Sequence, residues 1–167
     1  LLARVYTLPS NFGRIFRAGV RSNPNSSLAT QLFIVSRNAV GNLTQVSDSL
    51  KLNLTQFLGQ FRMISEAIDI LDSKIINITV SYQIVIAHNA NRQLVLQSVS
   101  RMIAQHLDVR NMQIDQPLSI SDINNIIFNT QGVESVINVN VKNIVGSTGD
   151  RHYSLVQHDL GVNTTKG

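Results

Sequence analysis

The chain has 167 residues, 43% of them hydrophobic, 5% aromatic and only 14% charged, with no cysteine, no tryptophan and a net charge of +4. That length suits one domain, or one domain with an extension, and Ile, Val and Leu must build its core. The missing cysteines exclude disulfides, thiol catalysis and Cys-ligated zinc, and no apolar run approaches the ~20 residues of a membrane-spanning helix.

Residues 1–40 read as an N-terminal β-hairpin segment. Phe12, Arg14, Phe16, Ala18 and Val20 alternate with Gly13, Ile15, Arg17 and Gly19, the period of a half-buried strand. Ser22 to Ser27, rich in turn formers around Pro24, predicts a loop longer than the tightest hairpin type. Gln31 to Ser36 is a short apolar strand, closed by Asn38 to Asn42. Ser47 then opens a helix whose stripe is Leu50, Leu54, Phe57, Leu58 and Phe61, with Ser47 as cap and Asp48 at the positive end of the dipole. Arg62, Glu66, Asp69 and Asp72 read as a polar connection. The strongest periodicity follows. Ile76, Ile78, Val80, Tyr82, Ile84 and Ile86 alternate with Asn77, Thr79, Ser81 and Gln83, so one strand face is apolar and the other carries amides and hydroxyls.

Asn89 to Asn91 caps a second helix reaching about Leu107, with Val95, Val99, Met102, Ile103 and Leu107 as its stripe. A short extended piece is expected around Met112 and Ile114. Ser119 or Ser121 caps a short helix bearing Ile123, Ile126 and Ile127, and Gly132 stops it. Val133, Ser135, Ile137, Val139 and Val141 then alternate with Glu134, Asn138, Asn140 and Lys142 as a further strand. Ser147 to Asp150 forms a turn, and Tyr153 to Val156 a last strand. The order β-β-α-β-α-α-β(-β) predicts an α+β fold, a mostly antiparallel sheet with helices packed on one face. The expected division is a hairpin segment at 1–40, an α+β core at 41–146, and a C-terminal strand and tail at 147–167, as one domain or two small subdomains. The opening at Leu1 rather than Met predicts a piece of a longer polypeptide, and no signal-peptide pattern begins it.

No constellation for chemistry emerges. His88, His106, His152 and His158 fall in no zinc spacing. No Gly-x-Ser-x-Gly occurs. Glu66, Asp69 and Asp72 read as a solvated turn near Arg62 and Lys74. Gly146 and Gly149 lack the strand–glycine–helix context of a phosphate loop. The expectation is therefore a non-enzyme with no catalytic residues, no metal, no cofactor and no small-molecule substrate. Charge is unevenly placed, with no acid before Asp48 but Arg4, Arg14, Arg17, Arg21 and Arg37 in that stretch. Arg14, Arg17 and Arg21 are the candidate interface residues. They suit an acidic protein partner, or a nucleic acid with Phe12 or Phe16 stacking on bases. No dense cluster forms, and Arg17 and Arg21 face away from Phe12, Arg14 and Phe16, so nucleic acid is the weaker reading. Scarce charge and abundant Asn, Gln, Ser and Thr suit a surface buried against a protein partner, although a compositional bias of the source genome would look the same.

Gly41-Asn42-Leu43-Thr44 leads into a helix ending Phe57-Leu58-Gly59-Gln60-Phe61-Arg62-Met63-Ile64. A long strand, a helix, a short helix and Gly132-Val133-Glu134-Ser135-Val136 follow. In order and spacing, roughly from Gly13 to Ile144, this resembles the C-terminal part of baseplate J-like proteins of contractile-tailed phages, especially the wedge subunits of T-even-like myophages. The resemblance implies a structural role in the virion tail baseplate, assembled in the host cytoplasm. It also implies pairing with a second copy and with other wedge proteins, and a ring of wedges around the tail hub. It brings no catalytic residues and no membrane.

Overall fold

The structure, a computed structural model, describes residues 1–61 and 67–146. Within them the chain divides into two compact units, Leu1–Ile75 with Gly146, and Ile76–Val145, each with its own core. The fold is α+β, as the element order predicts. The boundary falls after the helix that Ser47 opens and the strand that follows it, because the apolar stripe of that helix closes the first core. Arg62, Glu66 and the turn and strand expected at 147–156 lie outside the described residues.

The first unit begins with a short helix α1 (Leu2–Val5) and a 3-10 turn (Ser10–Phe12). Strand β1 (Arg17–Asn23) starts later than the alternation from Phe12 suggests, because Gly13 takes φ 115 and ends any extended run there. It pairs antiparallel with β2 (Ser26–Arg37), Arg17 opposite Val35 and Arg21 opposite Gln31. The expected long loop is only Pro24 and Asn25. Pro24 presets its φ, and Asn23 Oδ1 accepts from the Asn25 amide at 2.9 Å, tightening the turn. A two-residue strand, β3 (Leu43–Thr44), folds back on the end of β2.

Helix α2 (Asp48–Gly59) carries the chain across to β4 (Ala67–Asp72), which lies parallel to β2. Ser47 caps α2 as expected, accepting from the Leu50 amide at 3.4 Å. Leu50, Leu54 and Leu58 pack with Val5, Ala18, Leu32, Ile34 and Val46 in the first core. The connection read as polar is thus a strand. Ile68 and Ile70 pack against this core while Asp69 points to the other face. The sheet is mixed: antiparallel at β1–β2 and parallel at β2–β4.

The second unit is a two-stranded antiparallel sheet, β5 (Asn77–Ile86) with β6 (Val133–Ile144), and two helices, α3 (Arg92–His106) and α4 (Ile120–Phe128). Asn91 Oδ1 caps α3 and Ser119 Oγ caps α4. Val95, Val99, Ile103, Ile123 and Ile127 form the second core, against which Val80, Tyr82, Ile84 and Ile86 of β5 pack. The alternation of β5 is observed from Ile78 to Ile86, whereas Ile76, read as its first inward residue, precedes the strand and is 40% exposed. Met102 leaves the predicted α3 stripe and is 45% exposed. The piece around Met112 and Ile114 is a run of turns, with Asp115 at φ 67, rather than a strand.

Two positions generate predictions. Gly132 has φ 91, and a Cβ there would sit 2.6 Å from Val95 Cγ2 and 3.2 Å from Ala90 Cβ. Gly132→Ala should destabilise the chain by about 1–3 kcal/mol in a denaturant titration, the cost of left-handed backbone outside glycine. In the first unit, Lys51 Nζ donates to Asp72 Oδ2 at 2.6 Å, and Asp72 Oδ1 accepts from the Val46 amide at 3.3 Å, tying α2 to β4. The hydrogen bond to Asp72 raises the Lys51 pKa above its ordinary 10.5, burial opposes this, and the bond to Asp48 adds to the rise. Asp72→Asn should cost about 1 kcal/mol at neutral pH, since both groups are only partly exposed. The ion-pair part of that advantage is complete below the ordinary lysine pKa and fades as pH rises through the raised folded value. Unfolding curves from pH 7 to 11.5 should therefore converge only at the alkaline end.

Candidate assembly surfaces

Two surfaces stand out, one in each unit. Among the described residues, the helices of the second unit cover one face of the sheet. On the other face the register aligns Thr79 with Lys142, Ser81 with Asn140 and Gln83 with Asn138. All six are exposed, and five are uncharged hydrogen-bonding side chains. Such groups lose less hydration on burial than charges do. Neither β5 nor β6 has a further strand partner among the described residues, so each presents an edge able to pair with another chain.

The sequence places Ile137 with Val133, Ser135, Val139 and Val141 on the inner face. The structure does not. Gln83 pairs with Asn138 but Ile84 pairs with Val136, so Ile137 is an extra residue in β6; a second shift makes Glu134 another. Each such bulge offsets the alternation by one. Val136 therefore turns in with Val139 and Val141 against the second core, while Ile137 is 66% exposed. The outer face thus has an amide and hydroxyl field with two apolar side chains, Val85 and Ile137, toward one end.

The second surface is on the first unit. Ala18, Leu32 and Ile34 face the core, so Arg17, Gly19 and Arg21 of β1 lie on the opposite sheet face with Gln31, Phe33 and Val35 of β2. The three arginines proposed as an interface do not form one cluster. Arg21 aligns with Gln31, and Gln31 with Asp69, near the turn where Asn23 Nδ2 donates to Asp69 Oδ2 at 3.0 Å. Arg17 lies about 13 Å away along the strand at roughly 3.3 Å per residue. Its guanidinium carbon stands 4.8 Å from the centroid of the Phe16 ring, and that of Arg37 stands 5.4 Å from the same centroid. Arg14 is exposed beside them, its carbonyl accepting from Ser36 Oγ at 3.1 Å. Arg37 belongs to this group, and sequence reasoning did not single it out. The signal was available in the hairpin register, which carries the end of β2 past Arg17.

Among the described residues no group of three or more His, Cys, Asp or Glu side chains converges on a point. Asp69 and Asp72 lie three apart on one strand, hence on opposite faces. His152 and His158 lie outside the described residues. A cleft of about 280 Å³ between the ends of α3 and α4 is lined by His106, Asn111, Gln116, Ser119 and Asp122 among others. No helix among the described residues is long and apolar enough to cross a membrane.

No protein-family model and no curated protein matches the chain. Its fold is similar to that of a chain in a solved structure described as the cryo-EM structure of the anti-feeding prophage (AFP) baseplate, 6-fold symmetrised. The two are 15% identical with a TM-score of 0.53, over 92% of this chain and 34% of that one. The present chain therefore spans about a third of the length of that neighbour.

The bulge assignment can be tested directly. Ile137→Asn should leave the unfolding free energy within about 0.5 kcal/mol, as for an ordinary surface change. Val136→Ala, one residue earlier, should cost about 1–3 kcal/mol because it removes packed methyl groups. Reversal of the two effects would place Ile137 inside.

Proposed function

We propose that this chain is a structural element of a phage-tail-type baseplate and acts through its contacts with other proteins. The observation that carries the reading is the fold shared with a baseplate chain, joined to a sheet whose uncovered face is amide- and hydroxyl-rich and nearly free of charge. Obligate assemblies favour such depletion of charged groups at buried patches. In this reading the chain is a wedge component. It pairs with a second copy through the β5–β6 unit, meets other wedge proteins, and contributes to a ring around the tail hub in the virion. Its role is mechanical and requires neither a catalytic residue nor a cofactor.

The uncovered face favours pairing of like with like, since a two-fold axis sets the same patch of both copies against each other. Sedimentation of the chain over the micromolar range should give a dimer. Ser81→Glu combined with Asn140→Glu puts carboxylates on the paired face in both copies. This double variant should sediment as a folded monomer, with an unchanged circular dichroism spectrum. A wild-type chain that stays monomeric throughout that range would contradict the self-pairing reading.

A further inference from the structure

We propose that the open edge of β5 is where an extended, uncharged segment of a different protein joins the second unit as a third strand. The proposal deepens the assembly reading and relies on it for the class of partner, a neighbouring baseplate protein. An unpaired strand edge is a template for other chains, so most edges are guarded by charge, by bulges, by shortness or by a covering group. Among the described residues, all the outer strands but one are guarded in these ways. Strand β1 carries Arg17 and Arg21, and Tyr6 Oη accepts from the Ala18 amide at 2.9 Å. Strand β3 has two residues, and β4 has six, with Asp69 and Asp72 among them. Strand β6 holds both bulges, Glu134 and Lys142. Strand β5 runs for ten residues without a charge, a proline, a glycine or an extra residue.

One hydrogen bond fixes the backbone direction at this edge. Ala87, next after β5, donates to the Gly132 carbonyl at 3.0 Å. Amides alternate in direction along an antiparallel strand, so those of Ser81 and Gln83 point to β6, and those of Val80, Tyr82 and Ile84 point to the open side. The side chains of these last three pack on the second core yet stay only partly buried. An added strand would meet main-chain donors and acceptors beside an apolar shelf, and its inward residues would cover that shelf. Main-chain pairing supplies the affinity in such strand addition, and alternate side chains the specificity. The matching segment alternates aliphatic residues with Thr, Ser, Asn or Gln, because a charge would meet no counter-charge along β5. A second copy does not fit both surfaces. The uncovered face already serves it across a two-fold axis, and a further two-fold contact at the edge would extend the assembly without closure unless the two axes met. The edge therefore falls to a different chain.

The test is hydrogen exchange of single amides, read by NMR on the full chain, with and without a synthetic peptide of alternating Thr and Val that carries a lysine pair at each end. Without peptide, the Val80, Tyr82 and Ile84 amides should be at least tenfold less protected than those of Ser81 and Gln83. Saturating peptide should slow the first three at least tenfold and leave the other two within twofold. Val80→Pro deletes an outward amide without removing a bond to β6. It should weaken binding at least tenfold in fluorescence anisotropy of the labelled peptide. Val20→Pro on β1, where the Ala18 amide also points outward, should change binding less than twofold. Circular dichroism of each variant separates a lost contact from a lost fold, and the exchange pattern of the unsubstituted chain needs neither variant. Three results would each overturn the proposal: no peptide binding, slowing confined to β1 or β6, or Val80, Tyr82 and Ile84 amides already protected without peptide. The last would mean that the chain itself or a second copy occupies the edge. None of them bears on pairing through the uncovered face, which sedimentation of the Ser81→Glu and Asn140→Glu double variant reads separately.

Discussion

Among the described residues, the helices of the second unit cover its sheet on a single face, and that asymmetry governs the rest. A β-strand sends alternate side chains to opposite sides, so a sheet backed by helices on one face must present its other face to something else. In the second unit the backing is Val95, Val99, Ile103, Ile123 and Ile127, and the strand residues that meet them are Val80, Tyr82, Ile84, Ile86, Val136, Val139 and Val141 among others. Tyr82 Oη and Ser100 Oγ, 3.1 Å apart, join strand to helix at the margin of this layer. Everything between those inward residues is turned outward by the pleat. The character of the outer face then depends on which residues occupy the alternate positions, and here they are mostly Thr, Ser, Gln and Asn, with Lys142 and Val85.

The bulges in β6 refine this. Without them Ile137 would compete for the inner face and Val136 would be exposed, and Glu134 would align with the strand opposite. Two extra residues in one strand let the apolar set change phase midway, so Val133, Val136, Val139 and Val141 all reach the helices despite their uneven spacing. The consequence is an isoleucine at the surface that no core requires. An exposed apolar side chain beside a polar, uncharged field is the composition that protein contacts favour over solvent.

Much of this was legible in the residues, and what was not has definable causes. The β5 alternation and the Ser47, Asn91 and Ser119 caps are local signals, and local signals survive folding; α4 ends at Phe128 with Asn129 as its cap, ahead of the expected stop at Gly132. Strand β4 was hidden because Asp69 and Asp72 give it the look of a connection, and its identity depends on parallel pairing with a strand 38 positions earlier in the register, Ala29 with Ala67. The bulges were hidden because strict period two is assumed when a strand is read alone, and the offset is decided by the partner strand. The basic cluster was half visible. Arg14 and Arg17 are near one another in sequence, but Arg37 reaches Phe16 only through the hairpin register, and Arg21 leaves the group for the same reason. Outside the fold itself, the likeness to a baseplate chain at 15% identity is carried by architecture rather than by matched functional residues.

The chain has no native cysteine, so a single introduced thiol reports one place on the surface. The most direct test of the central claim puts that thiol at Ser81, in the middle of the uncovered β5–β6 face, and follows its alkylation by a maleimide as the chain concentration rises. A second variant carries it at Gln97, on the exposed side of α3. The account predicts that labelling at Ser81 slows at least tenfold once the chain associates, while labelling at Gln97 keeps its rate. Equal rates at Ser81 in dilute and concentrated protein would contradict it, because the face would then remain open to solvent.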